Sequence, residues 1–334
     1  MKESILVTGG AGYIGSHTAH LLAQKGYDVI VLDDLQYHQP FNCSCGRLVK
    51  GNVGDESILD GIFSENTIKA VIHFAGFIAV GESVKNPTKY YENNVVNTLN
   101  LLKKMVEYNV QHIIFSSSAA VYGIPDQLPL SEDHKKVPVN AYGNTKLIVE
   151  YMLSDFARAH DINFVALRYF NACGADSENG LGERHEPETH IIPLALRAVL
   201  CGEAFNIFGD DYDTPDGTCI RDYLHVKDLA SAHLAALCYL ENDGKSDFFN
   251  LGTGKGYSVK EVLQMIEHVI GKGIKVNVCA RREGDPSELV ADPNKARRIL
   301  QWTPSFSDLS NIVMDAYHFE LFLKSKQKGV ELIL

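Results

Sequence analysis

The chain has 334 residues, of which 45% are apolar and 22% are charged, and its formal net charge is -11. This composition is that of a globular protein with a substantial core, and the length allows two sub-domains. The acidic balance, with Lys and Arg scattered along the chain, argues against nucleic acids and anionic membrane surfaces as partners.

The N-terminal segment MKESILVTG leads directly into an apolar strand pattern, without the apolar region and cleavage site of a secretory signal. No apolar run approaches the length of a membrane span. We therefore expect a cytoplasmic protein. Its seven dispersed cysteines fit free thiols in a reducing compartment. Cys43 and Cys45 form a C-x-C pair without a second pair, which is a poor zinc signature, so no metal site is predicted.

Val- and Ile-rich runs of strand length alternate with longer helical patterns through the first half of the chain. Continuous apolar runs of this kind are typical of strands buried on both faces of a parallel sheet. The sequence therefore predicts an α/β fold with a doubly wound parallel sheet. The predicted strands are ILVTG (5–9), VIVLDD (29–34), AVIHFAG (70–76), HIIFSSS (112–118) and FVALRYF (164–170).

After Asn171 the alternation gives way to the polar stretch ACGADSENGLGERHEPETH, shorter mixed elements and a C-terminal amphipathic helix. We predict a Rossmann domain that binds a dinucleotide over residues 1–174 and a smaller α/β substrate domain over residues 175–334. The segment 221–240 has the pattern of a strand end followed by a helix. It is predicted to return and pack on the first domain.

The stretch TGGAGYIGSH (8–17) follows the first strand and opens the first helix. Glycines at this spacing permit a tight turn, close approach of a pyrophosphate and close helix–strand packing, while the helix N-terminus offers N–H groups to the anion. The second strand ends at Asp33 and Asp34. A carboxylate there accepts from a ribose 2'-hydroxyl and repels a 2'-phosphate, which favours NAD over NADP. The alternative role of Asp33 is to cap a loop.

Tyr142 and Lys146 lie four residues apart in a predicted amphipathic helix, so they face the same side. A free phenol has a pKa near 10, and lowering that pKa by about three units requires about 4 kcal/mol. Lys146 and a second positive charge nearby would favour the phenolate. Taken alone, the same spacing also occurs on many solvated helices.

Several long stretches resemble the extended short-chain dehydrogenase/reductase family, and the resemblance covers essentially the whole chain. It implies tightly bound NAD and a reversible hydride transfer at C4' that interconverts UDP-galactose and UDP-glucose through a 4-keto sugar. The stretches that carry it are TGGAGYIGSH, HFAGFIAVGESV (73–84), YYENN (90–94), SSSAAVYG (116–123), YGNTK (142–146), RYFNACGA (168–175), FGDDYDTPDGTCIRDYLHV (208–226) and RREGDP (281–286).

By this resemblance, Tyr142 is the acid/base, and Lys146 binds the nicotinamide ribose and lowers the pKa of the phenol. Ser118 bridges Tyr142 and the sugar O4' and passes the proton. The nicotinamide of NAD supplies the second positive charge. The implied cofactor residues are Gly9, Gly12, Tyr13, Ile14, Gly15, Asp33, Asp34, Asn52, Val53, Phe74, Ala75, Gly76, Asn93, Ser116, Tyr142, Lys146 and Tyr169.

The resemblance also implies that the UDP group is held firmly while the sugar turns. Arg221 and Arg282 match the diphosphate arginines of the family, and the bidentate guanidinium suits that task. A surface ion pair is the alternative for the arginines, and loop structure is the alternative for Asn206. The implied substrate residues are Ser118, Tyr142, Asn171, His190, Asn206, Phe208, Arg221, Arg282, Asp285 and Leu289.

Four positions depart from the usual pattern of the family. Asn52 stands where Asp faces the adenine amino group, and its amide oxygen is expected to accept the same hydrogen bond. Ile78 replaces a Lys near the cofactor. His190 stands where Asn often lies beside the diphosphate, and either donates there or packs. Leu289 stands at a sugar-pocket position that is usually Tyr or Cys.

Ala119 and Ala120 precede V-Y-G, where dehydratases and decarboxylases of this fold carry acidic residues. Without those carboxylates, epimerisation is the simplest reaction. The alternatives are a 4-epimerase for UDP-GlcNAc/UDP-GalNAc or UDP-xylose/UDP-arabinose, and a non-catalytic regulator that binds NAD. Family analogy also predicts a homodimer, in which the helices of residues 90–108 and of YGNTK pair as a four-helix bundle.

Overall fold

A computed structural model describes residues 3–36, 46–282 and 284–328 of the chain. The Cys43–Cys45 pair lies outside the described residues. Within the described ranges, no helix combines the length and the apolar character that a membrane crossing requires.

The chain forms thirteen strands and eleven α-helices in the described ranges. The strands are β1 (Glu3–Thr8), β2 (Asp28–Asp33), β3 (Arg47–Lys50), β4 (Thr67–His73), β5 (His112–Ser118), β6 (Asn163–Tyr169), β7 (Asn171–Cys173), β8 (Ala204–Phe208), β9 (Ile220–His225), β10 (Asp247–Leu251), β11 (Gly256–Ser258), β12 (Lys275–Cys279) and β13 (Glu288–Leu289). The helices are α1 (Tyr13–Gln24), α2 (Glu56–Glu65), α3 (Val80–Lys85), α4 (Pro87–Tyr90), α5 (Asn97–Glu107), α6 (Ala141–Ala159), α7 (Ile191–Cys201), α8 (Val226–Glu241), α9 (Val259–Ile270), α10 (Asn294–Ile299) and α11 (Leu309–Lys328). A π-helical turn, Tyr91–Val96, joins α4 to α5.

Seven strands form one parallel sheet in the order β10-β6-β5-β4-β1-β2-β3. The doubly wound parallel sheet predicted from the sequence is therefore confirmed. The order reverses between β1 and β4, and ligands of such sheets bind at the carboxyl ends of the strands at this reversal. β3 and β10 lie outside the five predicted strands. β3 is a largely exposed edge strand, so it lacks the continuous apolar run that predicts the buried strands.

Helices cover both faces of the large sheet. On one face, α1 and α8 pack through Leu22 and Leu237 against the sheet core. On the other face, α2, α5 and α6 contribute Leu59, Leu101 and Leu153 to a second cluster. Both faces are thus shielded from water, which explains why the strand sequences are continuously apolar rather than alternating.

The rest of the chain builds a smaller layer beside the carboxyl ends of the sheet strands. β9 pairs with β7, β11 and β13, and β8 pairs with β12. Helices α7, α9 and α11 pack against this layer. β10 pairs with β6 and α8 packs on α1, so the returning part of the chain extends beyond 221–240 to Leu251. The division into 1–174 and 175–334 stays a prediction.

Candidate functional site

The backbone from the end of β1 to the first turn of α1 is packed so closely that only glycine fits at two positions. Gly9 has φ +67°, and a Cβ there would lie 2.6 Å from the backbone N of Ala75, in the loop after β4. A Cβ at Gly15 would lie 2.3 Å from the Gly9 carbonyl oxygen. Gly12 is the N-cap of α1 and has no side chain to satisfy the first-turn N–H groups. Those groups are left for an anion, which fits the diphosphate of a dinucleotide.

Asp33, at the end of β2, braces this glycine loop. Its carboxylate accepts from the backbone N–H of Ala11 at 3.0 Å and from that of Leu35 at 2.9 Å. The residue is only 9% exposed. Asp33 therefore caps the loop, which is the alternative role that the sequence suggested. A ribose hydroxyl bound at this site would share the carboxylate with these backbone donors.

Asn52 is held in one orientation by three hydrogen bonds. Its Oδ1 accepts from the backbone N–H of Gly54 at 2.8 Å and from Nδ2 of Asn97 at 3.1 Å. Its Nδ2 donates to the Asp34 carboxylate at 3.1 Å. The two donors take both lone pairs of the amide oxygen. The hydrogen bond expected from an adenine amino group therefore requires one of them to be displaced.

A cleft of about 490 Å³ lies beside this end of the site. It includes Asn93, a predicted cofactor residue in the π-helical turn, and Asn97. Ile78, which replaces the family's Lys, is 42% exposed. An apolar side chain there offers no charge to an anionic cofactor.

The remaining predicted cofactor residues line the same strand ends. Tyr13 donates its hydroxyl to the Gly174 carbonyl at 2.6 Å. Phe74 packs on the His233 ring, with centroids 4.5 Å apart, and the Tyr169 hydroxyl lies 3.5 Å from His233 Nε2. Val53 belongs to the core cluster on the α2–α5–α6 face of the sheet, whereas Ile14 packs against the cluster on the α1–α8 face. Gly76 lies near Lys146, because a Cβ built there would be 3.7 Å from Lys146 Nζ.

Helix α6 brings Tyr142 and Lys146 to the end of β5. The helix begins after Asn140, whose side chain accepts from the Gly143 N–H at 2.8 Å. Lys146 Nζ donates to the Ser116 carbonyl at 2.7 Å and lies 5.9 Å from the Tyr142 ring centroid. The sequence-predicted Tyr, Lys and strand-end serines are therefore neighbours in space.

Burial shifts the pKa values of Tyr142 and Lys146 in opposite directions, because it favours the neutral form of each side chain. Burial raises the pKa of the Tyr142 phenol, although hydrogen bonding with Ser118 opposes the rise. Burial lowers the pKa of Lys146 to about 8, with the Glu150 carboxylate opposing the fall. In the protein alone, the phenol therefore stays protonated at neutral pH. A further positive charge beside the phenol is needed to form the phenolate.

A buried polar network connects α6 to β5 and β6, and the sequence did not predict it. Glu150, one turn beyond Lys146, accepts from Ser117 Oγ at 2.6 Å. The same carboxylate accepts from Arg168 Nε at 2.8 Å and Nη2 at 2.7 Å. Arg168 is fully buried on β6 and also donates to the Tyr122 hydroxyl at 2.9 Å. The network sets α6 against β5 and β6. The sequence signal for this network is Arg168, a charged residue inside the apolar run FVALRYF.

Two predicted arginines lie in the smaller layer, each with a predicted partner. Arg221 Nη2 lies 2.5 Å from Asp285 Oδ1. The Arg282 guanidinium lies 4.1 Å from the centroid of the Phe208 ring. These contacts place the cationic groups beside an aromatic face and a carboxylate.

Leu289 joins this layer to the Tyr142 helix. It pairs with Arg221 in the register of β13 and β9. It also packs against a buried cluster that contains Ala119, Tyr122 and Leu147. Leu289 therefore lies between the smaller layer, which carries Arg221, and the elements that carry Ser118 and Tyr142.

Three predicted polar contacts are engaged within the protein. Asn171 Nδ2 donates to the Asp222 carbonyl at 2.9 Å, and Asn206 Oδ1 accepts from Asn277 at 3.2 Å. His190 Nδ1 lies 2.6 Å from Glu183 Oε1. Burial lowers the pKa of His190, but the Glu183 carboxylate outweighs burial and raises it to about 10.

The chain shares its fold and much of its sequence with known enzymes. Residues 5–252 match the NAD dependent epimerase/dehydratase family. The chain is 50% identical over 317 residues to a UDP-glucose 4-epimerase of Halalkalibacterium halodurans, with 95% of each chain covered. A crystal structure of UDP-glucose 4-epimerase from Brucella ovis in complex with NAD matches with a TM-score of 0.92 and 47% identity, over 96% of this chain and 98% of that chain. The UDP-Glc/GlcNAc 4-epimerase of Campylobacter jejuni matches with a TM-score of 0.83 and 40% identity, over 96% and 99%. The chain therefore belongs to the NAD dependent epimerase/dehydratase family.

Proposed function

We propose that the protein interconverts UDP-galactose and UDP-glucose by reversible hydride transfer at C4' of the sugar, with NAD as its cofactor. The observation that carries the proposal is the meeting of Tyr142, Lys146 and Ser118 at the end of β5, beside the glycine loop. Relatives that match almost the whole chain are named UDP-glucose 4-epimerases.

The chain offers a site that fits the cofactor. The backbone at Gly9, Gly12 and Gly15 would lie against the diphosphate, and Asp33 would hold a ribose hydroxyl. Lys146 would bind the nicotinamide ribose. NAD, when bound, takes up the C4' hydride and supplies the positive charge that favours a phenolate.

Tyr142 is the proton acceptor and donor in this proposal. Its phenolate takes the O4' proton, directly or through the Ser118 hydroxyl, as C4' is oxidised to a ketone. It returns the proton to O4' when C4' is reduced from the other face. Ala119 and Ala120 offer no carboxylate for elimination or decarboxylation, so the keto sugar is returned as an alcohol with C4' inverted.

The sugar has to turn while the UDP group stays bound. In this proposal Arg221 and Arg282 hold the diphosphate, because guanidinium groups bind phosphate oxygens in a bidentate manner. Asp285 orients the Arg221 side chain through their ion pair, and the Arg282 guanidinium packs on the Phe208 ring. The sugar pocket, in contrast, has the apolar side chain of Leu289 on its wall. Firm diphosphate contacts and a smooth wall allow rotation.

The proposal is tested by incubating the purified protein with UDP-galactose without added NAD and following the sugar by NMR. We expect UDP-glucose to appear, with no net oxidation. A folded protein that retains dinucleotide but converts no UDP-sugar would instead support the non-catalytic regulator.

Asp33→Ser is expected to weaken NAD binding and to relax the rejection of NADP. The change removes the charge that repels a 2'-phosphate and the carboxylate that accepts from the ribose. The measurement is the dissociation constant of each dinucleotide for the protein stripped of cofactor. Asp213→Ser, at an exposed site on another part of the chain, is the matched control. Unchanged affinity for both dinucleotides in Asp33→Ser would rule out the ribose contact.

A second activity, on N-acetylated UDP-sugars, is favoured by Leu289. Leucine lacks the ring and hydroxyl of Tyr but is larger than Cys, so we expect weaker but detectable conversion of UDP-GalNAc and UDP-GlcNAc. Its relative from Campylobacter jejuni is named for both UDP-Glc and GlcNAc.

Leu289→Tyr is expected to suppress the N-acetylated substrates selectively, by about 10- to 200-fold in kcat/KM, since one packing group in an apolar pocket discriminates by about 1 to 3 kcal/mol. Leu48→Tyr, on the exposed edge strand β3, is the control and should leave both substrate classes unchanged. An equal loss for both classes in Leu289→Tyr would show that the residue does not select the substrate.

The cytoplasmic location and the homodimer are also proposals. Val96 and Tyr151 are 49% and 57% exposed on the two helical segments that family analogy assigns to the dimer. Their exposure supports a dimer, because a second copy in a four-helix bundle would cover these apolar side chains.

A further inference from the structure

The loop before α7, GERHEPETH (182–190), gathers four side chains that are typical metal ligands. One donor atom from each of Glu183, His185, Glu188 and His190 lies within 4.8 Å of all the others. We propose that this cluster binds a divalent transition-metal ion, with Zn²⁺ as the occupant, and that the ion fixes the loop against the start of α1.

The donor atoms converge on one point of the loop. Nδ1 of His185 and Nδ1 of His190 approach the same Glu183 oxygen, at 2.9 and 2.6 Å. His190 Nδ1 also lies 3.3 Å from Glu188 Oε1. Four ligands at the usual zinc distances of about 2.0–2.2 Å are separated from one another by roughly 3.3–3.5 Å. Small side-chain shifts therefore convert the cluster into a tetrahedral site.

One donor atom in the cluster is buried without a hydrogen-bond partner. Among the described residues, no group donates a hydrogen bond to Glu188 Oε2. The Glu188 side chain is only 3% exposed. A buried acceptor without a partner costs roughly 1–3 kcal/mol. A cation between the four groups removes that cost.

The other oxygen of the Glu188 carboxylate accepts hydrogen bonds from the backbone, as the carboxylates of metal sites usually do. Its Oε1 accepts from the backbone N–H groups of Thr189 at 2.7 Å and His190 at 2.9 Å. Hydrogen bonds of this kind hold a ligating carboxylate in one orientation.

The charge of the cluster matches a divalent ion. An imidazole that binds a metal is neutral, so the ion would displace the proton that Glu183 holds on His190. The carboxylates of Glu183 and Glu188 then carry two negative charges on side chains that are 7% and 3% exposed. Arg197 Nη2 lies 4.0 Å from Glu188, but Arg197 Nε binds Glu320 at 2.9 Å. A Zn²⁺ ion therefore neutralises the pair, and two imidazoles with two carboxylates form a donor set that suits zinc.

The position of the cluster indicates a structural role. The His185 ring lies edge-to-face with the Tyr13 ring, with centroids 6.4 Å apart. Tyr13 is the first residue of α1 and donates its hydroxyl to Gly174. Four protein ligands leave no open coordination position, which is typical of structural rather than catalytic zinc. The ion would therefore fix the 182–190 loop against the start of α1, next to the glycine loop.

The test uses the full-length protein with its bound dinucleotide. The protein is treated with EDTA, reconstituted with Zn²⁺ or Co²⁺, desalted and analysed for metal content, cobalt absorption and Tm. We expect one Zn²⁺ per chain, the visible absorption of four-coordinate Co²⁺, and a Tm that rises when Zn²⁺ is restored. His185→Ala should bind zinc at least about 100-fold more weakly and lose the Tm response. His268→Ala, at an exposed site on α9, is the matched control and should behave as wild type.

Glu188→Gln provides a second variant, because it preserves the hydrogen bonds to Thr189 and His190 while removing the anionic ligand. It should also lose zinc. Zinc content at background in the wild type, or equal zinc content in wild type, His185→Ala and Glu188→Gln, would overturn the proposal and leave an ion-pair cluster only. Because the readouts are metal content, absorption and Tm, they do not depend on the proposed epimerase activity.

Discussion

Tyr142→Phe is expected to lower kcat by about 10²- to 10⁴-fold while the protein keeps its bound NAD. The change removes one hydroxyl, and with it the group that exchanges a proton with the sugar O4'. The Phe ring fills the same space, so α6 and the dinucleotide site should be preserved. The measurements are the turnover of UDP-galactose and the dinucleotide content of the purified protein.

Tyr151→Phe is the matched control, because Tyr151 lies on the same helix with 57% of its surface exposed. Its kcat should equal that of the wild type. Near-normal turnover in Tyr142→Phe would assign the proton transfer to another group, with Ser118 the next candidate by position.

Arg168→Met is expected to lower the free energy of unfolding by about 3–5 kcal/mol, because it leaves the buried Glu150 carboxylate without its cation. Arg168 and Glu150 have side chains that are 0% and 2% exposed, and two charge-assisted hydrogen bonds join them. The loss is measured by urea denaturation of the variant and the wild type, both with bound dinucleotide.

Two comparisons identify the cause of this loss. Arg158→Met breaks an exposed ion pair with Asp155 on the same helix and should change stability by at most about 1 kcal/mol. The double change Arg168→Met with Glu150→Met replaces both charges by apolar groups and should recover much of the stability. A loss below about 1 kcal/mol in Arg168→Met would show that the buried pair does not hold α6 in place.

The local features of the nucleotide site follow from short-range constraints that the sequence displays. The apolar run of β1, the glycines at 9, 12 and 15 and the start of α1 follow one another in the sequence, and a Cβ at Gly15 would clash with the backbone of Gly9 within that segment. Tyr142 and Lys146 share a helix face because 3.6 residues make one turn. The family resemblance adds the roles of these residues, which no local pattern contains.

The edge strands and the buried network could not be predicted in the same way. β10 comes almost eighty residues after its neighbour β6, and its pairing depends on how the intervening chain returns. Glu150 looks like an ordinary polar residue of an amphipathic helix until Arg168 is placed opposite it. Likewise, the oxygen of Asn52 looks available until Asn97 and the Gly54 N–H are seen to occupy it.

The sequence by itself determined the parallel α/β sheet, the glycine loop and the Tyr142–Lys146 pair, because each depends on periodicity or spacing within about twenty residues. Only the tertiary structure decided that Leu289 packs against the cluster of Ala119 and Leu147, that Arg168 neutralises Glu150, and that Glu183, His185, Glu188 and His190 converge. The reason is physical: the cost of burying a charge or an unsatisfied donor depends on neighbours that chain topology brings together.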